Sequence, residues 1–288
     1  LPNCGSLYVM KDQPAELALA RRLVREAGQL VRRARETHAI VKEAKDTTYR
    51  DLSTSADLAS EELIISGIER AYPGATILSE ESRVEKPTST EQVWIIDPLD
   101  GTANYVKGLD AYGVSIAIFR DEHVWAAVVY LPETDEEYYA LRGGGVFRNE
   151  VQLKDVSAGD TLGQVLVGVG FPHTRAEKVI APAFALYGRV LAASADLRRS
   201  GAASYETCLL AKGAIGAYLT PDIKQWDIAA MCLFVEEEGG VASDFTGAAV
   251  DLFRQVSGQY STALVAARSA SVHAELVSQL KITSSVSI

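Results

Sequence analysis

One stretch constrains the chain more than any other: Trp94-Ile95-Ile96-Asp97-Pro98-Leu99-Asp100-Gly101-Thr102-Ala103-Asn104. The apolar run Val93 to Ile96 reads as a buried strand. It stops at a carboxylate, and Pro98, which has no N–H to give to a ladder, ends the strand. Asp100 follows, then Gly101, which permits a tight turn. Thr102 and Asn104 stand where a helix can begin. Two acids held close at the end of a buried strand repel each other unless something positive neutralises them, and a hard divalent cation fits that need. The free N–H groups after Asp100 offer an anion site beside the cation. A metal next to an anion pocket points to phosphate-ester chemistry. The plainer alternative is a strand-to-turn junction in which Asp serves as turn former.

Composition narrows the classes. The 288 residues allow one large domain or two lobes, and an apolar share of 48% supports a sizeable core. With 38 acids against 28 bases, nucleic-acid and anionic-membrane binding are disfavoured. An acidic protein that meets a phosphate ester must find positive charge locally, and bound cations supply it. Cys4, Cys208 and Cys232 form no Cys-x-x-Cys, so neither a disulfide framework nor a zinc site is expected and a reducing cytoplasm fits. His38, His123, His173 and His273 have no metal-ligand spacing. No apolar run spans a bilayer. Residues 1–13 read as a loose N-terminus without the pattern of a signal peptide, and 282–288 as a polar tail.

In chain order, residues 14–37 form an amphipathic helix, with Leu17, Ala20, Val24, Ala27 and Val31 at helical spacing. The polar run 41–51 reads as a loop. Within Asp51-Leu52-Ser53-Thr54-Ser55-Ala56-Asp57, either Ser55 or Asp57 can cap the next helix, residues 58–72, which Pro73-Gly74 ends. The strand Thr76-Ile77-Leu78 leads into Ser79-Glu80-Glu81-Ser82. A Glu pair is ordinarily solvated charge, yet this one falls where a strand finishes, as Asp97 does. Residues 83–92 read as a loop. Residues 113–119 and 124–131 form a hairpin. Arg142-Gly143-Gly144-Gly145 lies between two strand-like runs. A phosphate cradle needs a helix after it and none is patterned there, so a hairpin turn is expected.

The first lobe closes near Leu153. Beyond it come a buried strand over 161–170 and a helix over 179–191 disturbed by Pro182 and Gly188. A helix over 202–212 is opened by Gly201-Ala202-Ala203, whose small side chains fit either a ligand near the backbone or tight helix packing. A strand over 214–219 precedes a helix running from Trp226-Asp227 to Glu238, with Asp227 placed as N-cap. Late strands at 241–244 and 261–266 and a helix over 270–280 complete the chain.

Glu80-Glu81, Asp97-Pro98-Leu99-Asp100-Gly101-Thr102 and Trp226-Asp227-Ile228-Ala229-Ala230, with the stretch ending at Asp57, together resemble the inositol monophosphatase family. These are magnesium-dependent, lithium-sensitive phosphatases related to fructose-1,6-bisphosphatase. The motifs stand in the family's order, and the resemblance runs from Pro14 to Leu280. It implies an α/β (α+β) layered αβαβα sandwich with two lobes, 14–153 and 154–281, and a site between them. It implies that Glu80, Asp97 and the carbonyl of Leu99 hold one Mg2+, that Asp97, Asp100 and Asp227 hold a second, and that a third, weaker ion shares Glu80. Asp57, Glu81 and Thr102 would position or deprotonate the attacking water. The N–H groups of Gly101 and Thr102 would hold phosphate, with Gly201, Ala202, Ala203 and Thr220 lining the substrate. A homodimer acting on a small phosphorylated metabolite is the corresponding expectation.

The chain departs from that pattern on the alcohol side. Inositol-specific members carry a Glu seven residues before the third-motif Asp, where this chain has Thr220; Lys224 is an addition, and Met231 replaces the usual Gly. Broader specificity, including an NADP 2′-phosphate or a sugar bisphosphate, follows. Other classes fit less well. Haloacid-dehalogenase phosphatases also contain Asp-Gly-Thr, but their two acids are one residue apart and near the amino terminus. A non-catalytic phosphometabolite sensor has no need to keep every metal carboxylate. Gly113-Val114-Ser115-Ile116-Ala117 misses the nucleophile-elbow pattern at its last position.

Overall fold

The computed structural model describes residues 13–37, 42–44, 52–82, 92–154, 161–172, 176–256 and 259–281. The expectations for 1–12, for most of the two polar loops and for 282–288 fall outside these residues. The helices are α1 (Ala15–Glu36), α2 (Ser55–Ala71), α3 (Thr102–Lys107), α4 (Glu177–Ala193), α5 (Ala203–Ala211), α6 (Gln225–Glu237) and α7 (Ala270–Lys281). A two-stranded ribbon pairs β1 (Lys42–Ala44) with β2 (Leu52–Thr54), where the polar sequence predicts only loop.

The larger sheet runs in sequence order through β3 (Thr76–Ser79), β4 (Val93–Asp100), β5 (Gly113–Arg120), β6 (His123–Leu131), β7 (Glu136–Leu141), β8 (Gly145–Arg148) and β9 (Val151–Gln152). β3 and β4 are parallel, and each later pair is antiparallel. The second half contributes β10 (Leu166–Val169), β11 (Asp196–Arg198), β12 (Ala217–Ile223), β13 (Val241–Ser243), the ribbon β14 (Gln255–Val256) with β15 (Gln259–Tyr260), and β16 (Thr262–Ala267). Its sheet has the order β11-β10-β12-β16-β13.

Strand alternation assigns the layers. On β4, Trp94 and Ile96 join Leu17, Leu23 and Val24 of α1 and Ile64 and Ile68 of α2, while Val93 and Ile95 face α5 and α6. On β12, Tyr218 joins that same middle layer, whereas Ala217 and Leu219 pack with Leu186 and Val190 of α4 and Val272 and Leu276 of α7. The order is therefore α1/α2, seven-stranded sheet, α5/α6, five-stranded sheet, α4/α7, an αβαβα sandwich. The middle of α6 is apolar on every side because both its faces are covered: Ile228 to Val235 are all buried.

Several local expectations are corrected. Residues 161–165 form a 3-10 turn at Leu162–Gln164 rather than strand, because Thr161 and Gln164 close a capping box around Gly163. α4 runs unbroken through Pro182 and Gly188. The strand after α5 starts at Ala217, since the Ala214 N–H is taken by Leu209 O at 2.9 Å as the helix unwinds. Among the described residues no helix is long and apolar enough to cross a membrane.

The glycine run 143–145 is a hairpin turn between β7 and β8, and it does hold an anion. Gly143 and Gly145, both at positive φ, donate N–H bonds of 2.7 and 2.8 Å to the two oxygens of Glu237 at the end of α6. This pairing joins the large sheet to the helix that carries Asp227. Two hydrogen bonds to a carboxylate outweigh an exposed ion pair, such as the neighbouring one between Arg142 and Glu236. Glu237→Ala is expected to cost about 1–3 kcal/mol in urea unfolding, and Glu236→Ala about 0–1 kcal/mol. Equal costs would show that the glycine turn adds nothing to the tether.

Candidate active site

Three carboxylates from two elements meet at the middle layer. Asp97 and Asp100 come from the end of β4, and Asp227 from the first turn of α6. One oxygen of each lies within 4.8 Å of those of the other two. The backbone explains the first pair. Pairing of β4 with β5 is regular to Asp97–Ser115, skips Pro98 and Leu99, and resumes at Asp100–Gly113. This bulge turns Asp97 and Asp100 to the same side. Gly101 then takes φ +83°, and a Cβ there would lie 2.8 Å from Ala202 Cβ and 2.9 Å from Ala111 O, so only glycine fits.

Asp227 is not the N-cap of α6. Lys224 holds that position, and Asp227, one turn in, accepts the Lys224 N–H at 3.3 Å. Asp57 has the same place in α2. Thr54 is the N-cap, neither Ser55 nor Asp57 is, and Asp57 accepts the Thr54 N–H at 2.8 Å in a capping box. Its other oxygen accepts the Thr102 hydroxyl at 3.0 Å, and that hydroxyl is also 3.0 Å from Leu99 O. Glu81 accepts the Ser53 hydroxyl at 3.2 Å. Asp100 is held by the N–H and hydroxyl of Ser204 at 2.6 and 2.5 Å, which seats the start of α5 on the end of β4. Sequence reasoning did not single out Ser204; its partner is 104 residues away, and no local pattern marks it.

Burial and mutual repulsion dominate the electrostatics. Burial, then the charges of Glu80, Asp100 and Asp227, push Asp97 well above the usual carboxylate range. Burial and Asp100 raise Asp227 to about 7. Burial raises Asp57 to about 6 against the opposing hydrogen bonds from Thr54 and Thr102. Burial also raises Asp100, offset by Ser204. Among the described residues, Asp97 Oδ2 is buried without a hydrogen-bond partner. An orphaned carboxylate oxygen among like charges, in an all-oxygen donor set, fits a hard cation such as magnesium.

Glu80, half-buried at the end of β3, acts on Asp97 through its charge. Gly201 and Ala202 form the turn before α5, and Ala203 is its first residue. Thr220 is wholly buried on β12, its hydroxyl donating to Asp222 O at 3.2 Å, at the start of a bulge that breaks pairing with β16.

The inositol monophosphatase family model matches residues 13–282. The protein named Nus factor SuhB from Pasteurella multocida is 38% identical over 231 residues, covering 80% of this chain and 85% of its own. The crystal structure of suhB from Bartonella henselae has a TM-score of 0.82 at 28% identity, covering 93% of this chain and 99% of that one. The Thermotoga maritima IMPase has a TM-score of 0.79 at 26% identity, covering 94% and 98%. With the αβαβα layers and the clustered motif carboxylates, these likenesses lead to one conclusion: the chain belongs to the inositol monophosphatase family.

Proposed function

We propose that the protein is a magnesium-dependent phosphomonoesterase acting on small phosphorylated metabolites, with specificity broader than inositol monophosphate. The observation that carries this reading is the convergence of Asp97, Asp100 and Asp227, with an orphaned buried oxygen among them. A Staphylococcus aureus IMPase-II of the same fold, 25% identical, has been solved bound to inositol monophosphate. Asp97, Asp100 and Asp227, with Glu80 and the carbonyl of Leu99, would hold two or three Mg2+ ions. When bound, magnesium supplies Lewis-acid charge that activates water and stabilises the leaving oxygen. Asp57 orients the Thr102 hydroxyl, whose oxygen can receive a proton from the attacking water, and Glu81 stands as the alternative base. Water adds to phosphorus in line, the ester P–O bond breaks, and the leaving oxygen takes up a proton to give alcohol and inorganic phosphate. The N–H groups of Gly101 and Thr102 would steady the phosphate. Gly201, Ala202 and Ala203 would shape the alcohol side, and Thr220 at the position of the family's Glu, buried and neutral, would offer no carboxylate grip on ring hydroxyls.

The same proposal includes two lobes, 14–153 and 154–281, meeting at this centre, and a homodimer in a reducing cytoplasm, in keeping with buried free thiols at Cys208 and Cys232. A second reading, a non-catalytic sensor of phosphorylated metabolites, draws support from the name Nus factor, which states no reaction.

Phosphate release from inositol 1-phosphate, NADP and fructose 1,6-bisphosphate tests the first reading. Magnesium-dependent turnover of more than one is expected, with inhibition by lithium. Binding without release from any of them would favour the sensor. Asp227→Asn should lower kcat/KM by about 100-fold or more, since even groups one step removed from a metal have effects approaching that size. Near-normal turnover by this variant would remove Asp227 from the centre.

Linkage gives a further expectation. The raised carboxyls, Asp57 at about 6 and Asp227 at about 7, bind more protons folded than unfolded, where 3.8 is ordinary. Stability of the metal-free protein therefore falls as pH rises from the ordinary carboxylate range to about 7. Magnesium requires the ionised forms, so its stabilising increment should grow over the same window. Melting curves with chelator and with magnesium measure both trends. A magnesium increment independent of pH would contradict the assignment.

A further inference from the structure

A further buried acid, Glu206, lies behind the carboxylate cluster and is only 2% exposed. It sits in the first turns of α5, and its Oε1 accepts the Ser200 N–H at 2.7 Å. Its Oε2 is buried with no hydrogen-bond partner among the described residues, facing Gly168, where a Cβ would come within 2.7 Å of it. Ser200 is gripped from the opposite side as well. Asn104 Nδ2 donates to Ser200 O at 2.9 Å and to Ala111 O at 2.6 Å. Between these two anchors and α5, Gly201 takes φ +86°, and Ala202 presses on Gly101, the residue after Asp100. The Ser200–Gly201–Ala202 turn is thus clamped at both polar groups of the Ser200 backbone and set against the phosphate corner.

We propose that Glu206 is a positioning residue. It fixes this turn against Gly101 and so sets the wall that meets the phosphate ester, an inference that rests on the phosphatase reading above. An acid in the first turns of a helix also gains from the helix dipole, which would be a purely structural role. The two roles differ in what they transmit. A positioning role couples Ser200 to ligand affinity, because a loosened wall must be ordered again at each binding event.

The test uses the full chain with excess magnesium and inorganic phosphate as probe. Glu206→Leu keeps volume but removes the acceptor; Glu206→Gln keeps an acceptor for Ser200. Hydrogen exchange at the Ser200 amide, phosphate affinity by calorimetry, and KM and kcat on inositol 1-phosphate are compared. For Leu, faster Ser200 exchange, phosphate affinity weaker by about 5–10-fold and a rise in KM larger than the fall in kcat are expected, with Gln within about twofold of wild type. Faster exchange with unchanged affinity and KM would overturn the proposal, as would a Gln variant that behaves like Leu. If Leu fails to fold, Glu206→Met, which keeps an unbranched stem but no oxygen for the Ser200 N–H, goes through the same comparison with the same expected and overturning results. Wild type that binds phosphate but turns over no ester removes the hydrolase reading alone, and phosphate affinity still judges Glu206. Wild type that binds neither removes both.

Discussion

Asp97, Asp100 and Asp227 are gathered within 4.8 Å in a buried setting, and their charges oppose one another. That repulsion is the constraint on which the middle of the molecule is arranged. A fold that simply minimised its energy without a ligand would separate such groups or neutralise them with basic residues. This one secures each carboxylate independently: Asp97 by the bulge in β4, Asp100 by Ser204, Asp227 by the start of α6. The unfavourable charge is confined to a few atoms whose supports are rigid elements, so a cation can relieve it without moving the scaffold.

The layering follows from the same requirement. α5 and α6 are enclosed by two sheets, and each directs its first turn toward the end of β4. A helix covered on both sides is apolar along most of its length, and the charged residues it carries gather toward its termini. Ser204, Glu206, Asp227 and Glu237 lie near such ends, where unpaired backbone groups or neighbouring turns meet them. The chemistry is therefore placed at the edges of the core, and the core holds those edges in register.

Much of this was legible in the chain itself. Asp97-Pro98-Leu99-Asp100-Gly101 declares a strand end and a tight turn through backbone chemistry that does not depend on tertiary context. Asp57 and Asp227 were recognisable as acids at helix starts, but each lies one turn in, because Thr54 and Lys224 occupy the caps. The apolar run 161–170 did not reveal that its first part is a 3-10 turn, since periodicity alone does not separate short apolar segments. Ser204 and Glu206 were invisible for another reason. Their partners, Asp100 and the Ser200 backbone, acquire meaning only when α5 is seated on β4.

The glycine turn at 143–145 shows how far such context reaches. Its N–H groups have the form of an anion cradle, and the occupant is Glu237, more than 90 residues away. Asp227 and Glu237 mark two ends of one helix, about 15 Å apart at 1.5 Å per residue. Hairpin tips usually absorb added or lost residues with little effect. Here a length change at the β7–β8 tip would pull on the far end of the rod that carries Asp227. A change of length at this tip should therefore cost more than at an ordinary surface turn, although the tip lies well away from the carboxylates.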